Sequence, residues 1–131
     1  MRKLKKELRD LDSTELAGII ARTVSEKKGI NLMVLDVRTT AGFTDYFVIV
    51  SGRSSRQVQG LARAIDDAVG SRRLSAAKVE GLEEGHWVLL DYNDVVVHVF
   101  YDEVRTLYDL ENLWHDAPRV DLSRLGIRAE E

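Results

Sequence analysis

An α/β domain, with a mixed β-sheet of about five strands covered by helices, is predicted by three features of the sequence. The chain has 131 residues, a usual size for one hydrophobic core. Apolar residues recur with helical spacing in some segments and with strand character in others, and both kinds are spread along the whole chain. Finally, 86–91 and 94–101 are β-rich runs separated only by Tyr92-Asn93, the pattern of a tight hairpin.

Taken in order, Ser13 to Lys28 reads as a helix because Leu16, Ile19, Ile20 and Val24 fall on one face. Asp12 and Glu15 have the spacing of a capping box, and Gly29 stands where the helix should stop. Ile30 to Val37 and Tyr46 to Ser51 are β-branched, apolar runs and read as strands, the second largely buried. Helical spacing returns from Ser54 or Ser55 to Val69, with Val58, Leu61, Ala62, Ile65 and Val69 inward and Gly70 as the stop. A short strand over Ala77 to Glu80 precedes a turn from Gly81 to Gly85. In the hairpin loop Asn93 is acceptable because Asn tolerates positive φ. Asp102 is placed to cap a last helix running from Glu103 to about Trp114. Pro118 and the charged residues 128–131 suggest a loose end. The expected division is a basic extension over 1–12, a folded domain over 13–116 and a flexible tail over 117–131.

Cysteine is absent, which excludes disulfides, a thiolate nucleophile and Cys-ligated zinc. No run approaches the ~18 apolar residues of a membrane helix, and the basic opening leads into charged residues rather than a signal-peptide core. A cytoplasmic protein with no membrane attachment is therefore expected. The net charge of −3 is unevenly spread. Residues 1–79 hold 15 Lys and Arg against 9 Asp and Glu, net +6, whereas 80–131 hold 4 against 13, net −9. The second part suits a basic protein partner better than a phosphate backbone. The plain alternative is that these acids serve solubility.

The hairpin supplies the candidate site. Pairing Asp91 with Asp94 sets Leu89 opposite Val96 and Trp87 opposite His98, all on one side of the sheet. The other side, with Val88, Leu90, Val95, Val97 and Val99, is wholly aliphatic and is assigned to the core. The mixed side either packs under the last helix or meets a partner, and a Trp beside a carboxylate suits a partner. Tyr108, Leu110, Leu113 and Trp114 spread over more than one helical face, so some of them are expected at the surface. Arg53, Ser54, Ser55 and Arg56 lie between a strand and a helix start, where backbone N–H groups and Arg side chains could hold an anion, although a capped helix after a tight turn is the favoured explanation. No metal site is expected: Asp66 and Asp67 point apart on a helix, and the three His residues lack ligand spacing.

Several blocks in order resemble the ribosomal silencing factor family, also called Iojap-like. They are 43–52 with 54–58, Glu80-Gly81, 87–92, 94–100, 108–111 and Leu113-Trp114, and the likeness runs from about Ser13 to Asp116. Asn93 replaces a usual Gly, and Gly60 a usual Ala. The resemblance implies a nucleotidyltransferase-like fold without catalytic residues or cofactor. It further implies binding to protein number fourteen of the large ribosomal subunit and steric obstruction of small-subunit joining. On that reading Trp87, Leu89, Asp91, Tyr92, Asp94, Val96, His98, Tyr108 and Trp114 form the docking surface, with ribosomal RNA adjacent. A phosphate-handling nucleotidyltransferase-like enzyme centred on Ser51 to Arg56 and a homodimeric interaction module are the competing expectations.

Overall fold

The computed structural model describes residues 12–70 and 78–127. Most of the basic extension, Ala77 of the expected third strand and the charged residues 128–131 fall outside them. Helix α1 (Ser13–Glu26) starts where the Asp12 carboxylate accepts the Glu15 backbone N–H at 2.8 Å. It ends two residues earlier than expected. Lys28, at φ 64, takes a left-handed conformation one residue before the Gly29 expected to stop the helix. Gly29 is required for another reason, because a Cβ there would sit 2.6 Å from Val50 Cγ2.

The strands are β1 (Ile30–Asp36), β2 (Tyr46–Gly52), β3 (Lys78–Glu80), β4 (Trp87–Asp91) and β5 (Val95–Tyr101), with α2 (Ser55–Gly70) between β2 and β3. They form one sheet in the order β1-β2-β5-β4-β3, in which only the β2–β5 pair is parallel. The predicted five-stranded mixed sheet is therefore present. Every residue of β2 is buried, as befits a central strand. Helices α1 and α2 cover one sheet face through the predicted stripes, Leu16, Ile20 and Val24 on α1 and Val58, Leu61, Ala62, Ile65 and Val69 on α2. Against them lie Val48, Val50, Val88, Leu90, Val97 and Val99.

The hairpin pairs in a different register from the one derived above. Asp91 faces Val96, Leu89 faces His98 and Trp87 faces Phe100. The turn is centred one residue further on: the Tyr92 N–H donates to the Val95 carbonyl, Asn93 adopts φ 75, and the Asp91 carboxylate accepts the Asn93 N–H at 2.8 Å. The physical reason is that Asn93-Asp94, with a left-handed Asn first, makes the two-residue loop. Because the pairing moved by two residues, each side chain kept its face.

The last helix is broken. It begins at Asp102, with Tyr101 rather than Asp102 in the capping position, and divides into α3 (Asp102–Tyr108) and the single turn α4 (Leu110–Leu113). Asp109 separates them at φ 48, and its N–H closes α3 on the Arg105 carbonyl. Buried Arg105 fixes this corner: it donates to Asn31 O at 2.6 Å and Ser51 Oγ at 3.0 Å and pairs with Glu111 at 3.2 Å.

Residues 117–127 are packed where the sequence suggested a loose tail. Ala117 is buried on the sheet face away from α1 and α2, Leu35 bridges to Arg119 at the outer edge of β1, and Leu125 and Ile127 are buried beside α1. The Val120 N–H donates to Val34 O, and Arg22 donates to the Leu125 carbonyl at 2.8 Å. No local pattern announces this strap, because its apolar residues are widely spaced among polar ones.

Candidate docking face

The sheet face opposite α1 and α2 has only partial cover. Leu35, Val37, Phe47, Ile49, Val96, Phe100 and Ala117 form its buried floor, while Trp87, Leu89, Leu110 and Trp114 are half-buried above it. Ring contacts run across it without a gap. Phe43 meets Phe47 and Trp114, Phe47 meets His98 at 5.3 Å, His98 meets Trp87 at 5.9 Å, and Trp87 meets Tyr108 at 4.8 Å. Both ends of this track reach solvent, Phe43 being 63% and Tyr108 57% exposed, with Leu107 and Leu113 more exposed still.

Trp87 and His98 are diagonal neighbours rather than a facing pair, yet they are bonded. Trp87 Nε1–H donates to His98 Nδ1 at 3.1 Å. That bond leaves Nδ1 unprotonated and places the ring proton on Nε2, which is buried without a partner among the described residues. Burial pushes the His98 pKa down to about 4, so the ring is neutral at neutral pH.

Of the residues singled out by sequence, Trp87, Leu89, Asp91, Val96 and His98 share this face. Val96 and His98 lie in its floor, while the half-buried Asp91 caps the turn. Asp94 belongs to the turn itself, its carbonyl accepting the Asp45 and Tyr46 N–H groups. Tyr108 and Trp114 join from α3 and from the end of α4. Tyr92 does not join them: it is buried on the opposite side beneath α2, its hydroxyl 3.3 Å from Asp66. The shift of the turn places it there. Sequence reasoning missed Phe43 and Leu107, although a Phe after Gly42 in a polar loop was a usable signal, whereas Leu113 is one of the last-helix side chains expected at the surface and is exposed.

In the expected anion loop one backbone N–H and one hydroxyl serve the start of the helix. The Arg53 N–H bonds Gln57 Oε1 at 2.7 Å, and Ser54 Oγ accepts the Gln57 N–H at 3.0 Å. This is helix capping, with Arg53 and Arg56 exposed. Among the described residues no group of acids, His or Cys is placed to hold a metal ion, and no helix is long and apolar enough to cross a membrane.

The chain is an α/β module with one sheet face closed by helices and the other left as an aromatic track, whose Trp and Tyr are residue types enriched at protein-binding surfaces. Residues 10–131 match the family described as ribosomal silencing factor during starvation, and the chain belongs to that family. It is 39% identical to ribosomal silencing factor RsfS of Bacillus subtilis over 112 residues, covering 86% of this chain and 95% of that protein. Similarity extends to the chloroplastic protein Iojap of Zea mays, at 30% identity over 86% of this chain and 49% of that one. A crystal structure of a Chromobacterium violaceum protein shares the fold with a TM-score of 0.76 and 32% identity, over 79% of this chain and 87% of that one. One from Bacillus halodurans gives 0.73 and 34%, over 82% and 98%. The chain is thus a non-enzymatic factor of translation regulation, on the strength of family membership.

Proposed function

We propose that this chain represses translation in the cytoplasm by seating its aromatic face on protein number fourteen of the large ribosomal subunit, where its bulk obstructs joining of the small subunit. The observation that carries this reading is the unbroken ring track from Phe43 to Tyr108, with large apolar side chains exposed at its margins. Exposed apolar groups around a half-buried Trp have the composition of a protein-binding centre rather than of a phosphate-binding surface. The net charge of −9 over residues 80–131 favours a basic partner. One more distant relative, from Mus musculus, is named mitochondrial assembly of ribosomal large subunit protein 1, which supports the choice of subunit.

Sedimentation tests the reading. The protein should travel with purified large subunits, and its addition should lower the fraction of joined ribosomes when small subunits follow. Free sedimentation of the protein beside intact large subunits would remove the reading. The same exposed apolar residues also suit a homodimer of the free protein, which light scattering detects as a doubled mass.

A further inference from the structure

A notch of about 290 Å3 opens at the margin of the aromatic face, between the Gly81–Gly85 loop and α3. Its walls include Glu84, His86, Trp87, Val104, Leu107 and Tyr108, and they differ in chemistry. Val104 and Leu107 are aliphatic, Trp87 and Tyr108 bring two rings 4.8 Å apart, and Glu84 adds a carboxylate. The loop that carries Glu84 is fixed in place. Gly85 N–H donates to Gly81 O at 3.1 Å, and Gln59 Nε2 reaches the carbonyls of Leu82 at 3.0 Å and Glu83 at 2.9 Å. Gly81 sits at φ 83, and a Cβ on it would collide with the Trp87 carbonyl oxygen. A site held before binding loses less freedom when it is filled.

We infer that this notch receives one long basic side chain, lysine or arginine, of the docking partner. The methylene stem lies along Val104 and Leu107, and the cationic head meets the Glu84 carboxylate and the rings of Trp87 and Tyr108. An acidic side chain would face Glu84 with like charge, and a purely apolar one would desolvate that carboxylate without a partner. The inference rests on the docking reading above and specifies what that face recognises.

The test measures binding of the full chain to purified large ribosomal subunits across a salt series. Glu84→Gln should weaken binding about threefold to tenfold and flatten its salt dependence, and Tyr108→Ala should weaken it comparably. A carbodiimide that couples carboxylates to amines should join Glu84 to a lysine if lysine is the guest. Loss of affinity without coupling assigns arginine. If Leu113→Ala weakens binding while Glu84→Gln leaves both affinity and salt slope unchanged, the notch is empty in the complex and only the docking reading survives. If the unaltered protein fails to bind large subunits, the docking reading falls and the notch assignment falls with it.

Discussion

At the scale of single residues, His98 couples the aromatic face to acidity. Its folded-state pKa of about 4 lies below the ordinary 6.5, so between these values the unfolded chain binds more protons. Its contribution to stability is complete above pH 6.5 and is lost as pH falls toward 4, by up to about 3 kcal/mol. Chemical denaturation at steps between pH 7 and pH 4 should show this loss, and His98→Gln should flatten it. A variant that declines in parallel with the parent would show that His98 does not drive the change. Protonation of Nδ1 also removes the acceptor for Trp87 Nε1–H, so the tryptophan fluorescence of the folded protein should shift around pH 4. Sequence placed Trp87 and His98 on one face correctly. It could not find the bond between them, because a diagonal contact depends on register and rotamer together.

At the scale of elements, two glycines should respond in opposite directions. A Cβ at Gly60 of α2 would meet nothing within 4 Å, so Gly60→Ala should raise stability by about 1 kcal/mol through helix propensity. At Gly52, the end of β2, a Cβ would approach Val58 Cγ2 to 3.0 Å and Val58 N to 3.1 Å. Gly52→Val should therefore cost about 1 to 3 kcal/mol by overpacking. Thermal melts of the two variants check both signs. The element boundaries show why α1, α2 and the sheet were legible: each buries one periodic stripe, and the stripe is written locally. The break at Asp109 was not. It depends on a left-handed Asp and on Arg105 reaching Asn31, Ser51 and Glu111, none of which a local pattern records.

At the scale of the whole molecule, the candidate docking face joins residues from the 38–45 loop, β2, β4, β5, α3 and α4, and only the hairpin part had a readable period. Trp87, the anchor suggested by sequence, is half-buried and bonded to His98, so its removal should disturb folding as well as binding. Leu113, 71% exposed, separates the two effects. Leu113→Ala should weaken large-subunit binding by about 1 to 2 kcal/mol, roughly fivefold to thirtyfold, with an unchanged melting curve. Val97→Ala, buried between the sheet and helices, should instead lower the melting temperature by opening a cavity. Removal of residues 117–131 should uncover the outer edge of β1 and the apolar contacts of Leu125 and Ile127, which turbidity on storage and a lower melting temperature would report. The strap also orders events during synthesis. Leu35 must wait for Arg119, and Arg22 for Leu125, so the nascent chain carries an unpaired strand edge until those residues are made. A pause in elongation before that point would leave the domain nearly complete in sequence yet able to recruit a foreign strand.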